Sequence, residues 1–188
     1  MIKKIILFLV LLLGTSYLAL PTPNKFPPLP GSVKSVEPGD TVQISGVSAY
    51  YTNMSRKEVV EFYSEYFSRS PFLNLPLITY RLNHPPERIR EVLRNTQQST
   101  FVEEIVHPFR ESVFVNGFEW NNDPFTPPES RPQNILNVNG KTYQFKITLF
   151  YQESKLWQRL IIFYLTVAAS YLLFKFYLEI LNKWKKTG

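Results

Sequence analysis

The sequence predicts an α+β fold: a small antiparallel sheet with two helices, set between an N-terminal signal or anchor helix and a C-terminal transmembrane helix. Three observations carry this reading. Apolar and polar residues alternate through Lys141 to Tyr151, the mark of a strand with one buried face. Ser55 and Glu58 form a capping box ahead of an aromatic helical stripe. Two uncharged apolar runs, Ile5 to Leu20 and Leu160 to Phe174, stand near the chain ends.

The organisation that follows is a signal peptide or signal anchor over 1–20, a Pro-rich tether over 21–40 and an α+β domain over 41–151. A transmembrane helix over 156–182 and a basic tail over 183–188 complete it. Of 188 residues, 44% are hydrophobic and 19% charged, enough for one domain of ordinary size plus membrane segments. Lys and Arg number 21 against 15 for Asp and Glu, a net charge of +6. Seven of those basic residues lie in or beside the apolar runs with Glu179 as the acid among them, so Pro21 to Lys155 holds 14 of each sign. A neutral domain has no basic stripe for nucleic acid. The absence of cysteine excludes a disulfide framework, a thiol nucleophile, Cys-based zinc sites and a lipid-modified cysteine.

Met1-Ile2-Lys3-Lys4 leads into an apolar run of about 16 residues, roughly 24 Å as a helix, ended by Pro21. That length lies between a signal h-region and a full span, and it favours an uncleaved anchor. The C-terminal run continues past Lys175 and Glu179 to about 22 residues, roughly 33 Å. Trp157 and Trp184 bracket it about 40 Å apart, where indoles prefer the interfaces. Arg159, Lys175, Lys185 and Lys186 complete the anchoring set. Lysines cluster at both outer ends, so the positive-inside rule puts both termini in the cytoplasm and the middle outside the cell membrane. Thr166, Ala169 and Ser170 share one side of the helix, a small-residue pattern that suits an interface with another helix, with Gly14-Thr15-Ser16, a second copy or another membrane protein as partner.

Pro21 to Pro38 contains six prolines and reads as a stiff tether. Thr41 to Ser45 and Val47 to Thr52 have strand patterns. The capped helix then carries Val59, Phe62, Tyr63 and Tyr66 at helical spacing up to Phe67, a stripe read as core. Ile78 to Leu82 is a short strand, and Pro85-Pro86 opens a second helix from Glu87 to about Gln97. Ser99 to Val106 and Phe109 to Val115 have strand composition, closed by the turn signal Asn116-Gly117. Asn121 to Gln133 reads as an exposed loop, and Asn139-Gly140 as the turn into the last strand.

No Gly-rich phosphate loop, HExxH or GxSxG occurs, and no cofactor site is read from the chain. One polar constellation remains, Glu103, Glu104 and His107. On a helix Glu103 and His107 would share a face as metal ligands or an acid/base pair. The β-branched residues around them argue for a strand and for structural ion pairs with Arg110 and neighbouring arginines. The stretches Ala49 to Asn53, Ser55 to Tyr66 and Ser99 to Trp120 resemble bacterial membrane-anchored proteins with a small extracytoplasmic domain between two hydrophobic segments. The resemblance implies that architecture and no activity. The expectation is thus a membrane-anchored binding module, an accessory subunit of an envelope complex, with the bilayer and a membrane protein or second copy as partners. The rival is a membrane-bound hydrolase or metal-dependent enzyme using His107 with Glu103 or Glu104.

Overall fold

Strand alternation in the middle of the chain resolves into a six-stranded antiparallel sheet. The computed structural model describes residues 2–37, 40, 46–89, 99–119, 129 and 136–187. The chain divides into two units, Pro21–Glu153 and the pair Met1–Leu20 with Ser154–Gly188.

In the first unit, β1 (Val33–Lys34), β2 (Val47–Thr52), β3 (Tyr80–His84), β4 (Phe101–Val106), β5 (Ser112–Glu119) and β8 (Phe145–Gln152) form the sheet in the order β1-β2-β8-β5-β4-β3. β6 (Leu136–Val138) and β7 (Lys141–Tyr143) make a separate hairpin. Its turn residues Asn139 and Gly140 both have left-handed backbone, φ 53° and 75°, as the expected Asn-Gly turn requires. β8 takes the predicted alternation literally: Phe145, Ile147 and Leu149 are buried, whereas Lys146, Thr148 and Phe150 are half-buried.

Helix α2 (Arg56–Phe67) lies across the inner sheet face. Its start is the predicted capping box, with the Ser55 hydroxyl accepting from the Glu58 amide and Glu58 Oε2 accepting from the Ser55 amide at 2.8 Å. Val59, Tyr63 and Phe67 are fully buried over Ile105, Val113, Val115, Ile147 and Leu149. Tyr66, part of the expected core stripe, is exposed instead and its hydroxyl donates to the Lys25 carbonyl at 2.9 Å.

Two expectations change. The Pro-rich segment is no free tether, because Leu29 is buried in the core, Phe26 packs edge-on against Tyr63, and the Tyr63 hydroxyl donates to the Pro27 carbonyl at 3.1 Å. Asn116-Gly117 is no turn but lies inside β5. A Cβ at Gly117 would stand 2.7 Å from Ile147 Cδ1 and 2.9 Å from Phe101 Cζ, so glycine there lets two core side chains meet the strand. The reversal between β4 and β5 falls at His107-Pro108-Phe109-Arg110, where the two expected strands are separated, and is closed by the Arg110 amide on the His107 carbonyl at 3.0 Å. Of the second expected helix, α3 (Pro86–Ile89) spans four residues, and 90–98 lie outside the described residues. The expected strand at 41–45 and, Glu129 apart, the loop at 121–133 also lie outside them.

The second unit is helical. α1 (Ile2–Ala19) and α4 (Leu156–Thr187) meet where Gly14 faces the Phe163 ring, which a Cβ at residue 14 would approach to 2.2 Å. The Thr15 hydroxyl lies 2.8 Å from that of Tyr164. Among the described residues, Leu156–Trp184 is the helical stretch long and apolar enough to cross a membrane, and Lys4–Ala19 is a shorter apolar helix. Arg159 is half-buried at the start of α4. Its guanidinium donates to Ser154 Oγ at 2.8 Å and to the Leu18 carbonyl at 3.4 Å, satisfying an acceptor at the end of α1. Trp157, Lys175 and Trp184 are exposed, and the side chains of Lys185 and Lys186 lie outside the description. Thr166, Ala169 and Ser170 are exposed as well, the Thr166 hydroxyl bonding back to the Ile162 carbonyl at 2.7 Å.

Candidate functional site

The strand register separates the three side chains in which chemistry was sought. Glu103 and His107 fall on the helix-facing side, four positions apart and so about 13 Å along the strand, while Glu104 points to the other face. Each has its own partner. Glu104 pairs with His84 across the sheet, Oε2 to Nε2 at 2.8 Å. His107 is fully buried, stacked on Phe67 with ring centroids 4.0 Å apart and planes within 9°. Its Nε2 donates to the Phe67 carbonyl at 3.0 Å, closing the last turn of α2, and Nδ1 stands 3.5 Å from Glu111 Oε1. Around Glu111 gather Arg110, with Nη2 at 3.1 Å, and the Thr22 hydroxyl, which bonds both side chains. This is a buried lock tying the start of the unit to the β4–β5 turn. Among the described residues no three His, Asp or Glu side chains converge on a point that suits a metal ion.

Glu103 is the one of the three that opens onto a cleft. The cleft holds about 590 Å³ and is lined by Ser55, Arg56, Lys57, Val60, Arg81, Asn83 and Glu103. Arg56 is there because it is the first residue of α2, immediately after the Ser55 cap; Arg81 and Asn83 are there because they share the inner face of β3. The Arg56 guanidinium donates through Nε to Glu103 Oε1 at 2.9 Å, contacts the same oxygen through Nη2, reaches Asn83 Oδ1 at 3.0 Å, and lies 4.8 Å over the Phe101 ring. Arg81 is looser, its Nε 3.7 Å from Glu103 Oε2 and its side chain 51% exposed. Three cations and one carboxylate line the cleft.

Among the described residues the sheet ends at β3. Among the described residues β3 pairs only with β4, and Tyr80, Arg81, Leu82 and Asn83 are at least partly open to solvent, Tyr80 and Leu82 being exposed large apolar side chains. Tyr80–His84 contains no proline, lysine or bulge, and its charged residue is Arg81 on the inner face. One strand therefore offers backbone pairing at its free edge, apolar contacts on one face and guanidinium contacts on the other.

The chain matches no protein-family model, no curated protein and no solved structure. The site consequently rests on its own geometry. Sequence reasoning missed Arg56, Arg81 and Asn83. The usable signal was an alternation without an evident core face: Tyr80 and Leu82 against Arg81 and Asn83 in a strand bounded by prolines.

Titration elsewhere in the unit is set by burial and by one ion cluster. Burial pushes the Tyr63 phenol well above its ordinary value, with the neighbouring Tyr50 acting in the same direction. Tyr51 is raised chiefly by burial as well, and its hydroxyl donates to Glu37 Oε1 at 2.9 Å. For Lys146 burial acts downward, but the hydrogen bond and charge of Asp40 at 2.8 Å, joined by Tyr51 and Glu37, outweigh it and raise the ammonium pKa. The capping contacts of Ser55 hold Glu58 below its ordinary value.

Proposed function

We propose that the chain is a membrane-anchored binding module, an accessory subunit of an envelope complex, whose domain takes an extended acidic segment of a partner protein onto the free edge of β3. In this reading α1 and α4 both serve as membrane anchors, the lysines at the chain ends hold both termini in the cytoplasm, and the domain faces outward. The observation that carries it is the coincidence of a strand edge that no described residue pairs with and the Arg56–Arg81–Asn83 cleft beneath it. An added strand would gain main-chain hydrogen bonds from β3, and its inward side chains would meet Arg81 and Lys57. Because Glu103 already engages Arg56 closely and Arg81 only at 3.7 Å, a carboxylate from the partner would find Arg81 incompletely satisfied.

The hydrolase reading asks for an accessible base, whereas His107 is fully buried and its Nε2 is engaged by a backbone carbonyl. The binding reading is tested with the full chain in detergent and two synthetic peptides about eight residues long, one alternating glutamate and valine, the other lysine and valine. The glutamate peptide binds and the lysine peptide does not; Arg81→Glu lowers the affinity about tenfold or more, equivalent to about 1.4 kcal/mol. Equal binding of both peptides, or indifference to Arg81→Glu, removes the proposal.

A further inference from the structure

The end of the domain opposite the cleft carries an apolar surface of a different kind. Between Arg69 and Arg81 the sequence runs SPFLNLPLITY, eleven residues without a charge. They leave the C-terminus of α2 as a tight loop, closed by the Ser70 amide on the Leu75 carbonyl at 2.8 Å and the Leu77 amide on the Ser68 carbonyl at 2.8 Å. Its tip exposes Phe72 and Leu73, the latter 77% open, and beside it the β4–β5 turn exposes Phe109 at 64%. The His107–Phe67 hydrogen bond joins the two loops, so the three side chains belong to one end of the unit. Two of them sit on left-handed backbone, Leu73 at φ 52° and Phe109 at φ 61°, positions where glycine or asparagine is the ordinary choice. Large apolar side chains held outward at strained positions need a counterpart.

Covalent connectivity supplies it. The domain begins and ends at this same end: the Pro21 carbonyl accepts from Ser70 Oγ at 2.7 Å, Thr22 is bonded to Arg110 and Glu111, and the last residue of β8, Gln152, pairs with Ser112 directly after the turn. A single residue separates α1 from Pro21, and three residues separate the end of β8 at Gln152 from the start of α4 at Leu156, leaving no room for a long spacer on either side.

We infer that Phe72, Leu73 and Phe109 insert into the lipid headgroup boundary and seat this end of the domain on the bilayer. The occupant is a lipid surface because residues 70–80 carry no charge, Arg110 beside Phe109 is turned inward onto Glu111, and the patch is tethered within a few residues to the helix that can cross a membrane; insertion to about 5–10 Å removes apolar area from water. The cleft lies at the other end of α2, about 18 Å along the axis of that 12-residue helix. The inference rests on the reading of α4 as a membrane span, and the test separates the two.

The chain has no cysteine, so single nitroxide labels can be placed by Phe72→Cys, Leu73→Cys and Phe109→Cys. Lys57→Cys serves as a label at the cleft end and Leu172→Cys as one inside α4. Each full-length variant is reconstituted in vesicles of phosphatidylcholine and phosphatidylglycerol, and power saturation is read with oxygen and with a water-soluble nickel chelate. The expected result is that labels at 72, 73 and 109 relax more with oxygen than with nickel, as at 172, while the label at 57 shows the reverse. If 72, 73 and 109 behave like 57 while 172 stays lipid-exposed, the domain does not touch the bilayer and the inference fails alone. Should 172 also be aqueous, the span fails and takes the inference with it. Spin–spin broadening at 73 or 109 that vanishes on dilution with unlabelled chain would assign the patch to a second copy and overturn the lipid contact. Phe72 has no left-handed backbone, so its label reports even where substitution disturbs the strained positions.

Discussion

Glu103 holds Arg56 through Nε at 2.9 Å but leaves Arg81 at 3.7 Å, so one buried carboxylate serves a close guanidinium and a loose one. The asymmetry gives the two arginines different surroundings. Arg56 fixes the start of α2 against β4, and Arg81 remains half-open at the sheet edge.

The two arginines therefore contribute differently to stability. Arg56→Ala leaves the buried Glu103 carboxylate without its close guanidinium and is expected to cost about 1–3 kcal/mol. Arg81→Ala, at an exposed and distant pair, costs below about 1 kcal/mol. Urea unfolding of the full chain in detergent measures both; equal losses would contradict the division of roles.

Gly117 is a packing glycine, so Gly117→Ala drives a methyl into Phe101 and Ile147 and is expected to destabilise the domain by about 1–3 kcal/mol. Under the expectation of an Asn116-Gly117 turn, the same change would have acted through backbone strain. The error is physical. Asn-Gly favours a turn locally, but cross-strand register with Phe101 and Ile147 puts the missing side chain to use inside a sheet. Where a signal is local and nothing contests it, it carries through: the Ser55–Glu58 box starts α2, Asn139-Gly140 turns a hairpin, and the alternation of β8 sets its buried face. Arg56, Asn83 and Glu103 lie 27 and 47 positions apart, and only the β3–β4 pairing with α2 across it makes them neighbours. The prolines predicted a stiff tether over 21–38, and nothing in their spacing indicated that Phe26 and Leu29 would be drawn into the core.

Phe109 occupies the third position of a Pro-led turn at φ 61°, with its ring exposed. Phe109→Gly relieves a left-handed penalty of about 1 kcal/mol while losing little packing, and the domain in detergent should gain up to about that amount in thermal unfolding. A loss of stability would show that the ring packs against the domain itself.

The alkaline limit follows from groups whose folded pKa is raised. Tyr63, Tyr51 and Lys146 all bind their proton more tightly in the folded state, so their contribution is fully present below the unfolded values, near 10.0 for tyrosine and 10.5 for lysine, and is lost as pH rises through the folded ones. Stability should fall above about pH 10. Tyr63→Phe removes the largest burial-driven shift among them and should flatten the decline; an unchanged alkaline profile would place the titrating groups elsewhere.

The most direct test of the central claim is hydrogen exchange along β3 in the full chain, with and without the glutamate–valine peptide. If the sheet edge is the binding surface, the amides of Tyr80–His84 slow on addition of that peptide, those of the β6–β7 hairpin do not change, and the lysine–valine peptide has no effect. Unchanged exchange at Tyr80–His84 while the peptide is bound, or slowing centred on another element, would contradict it.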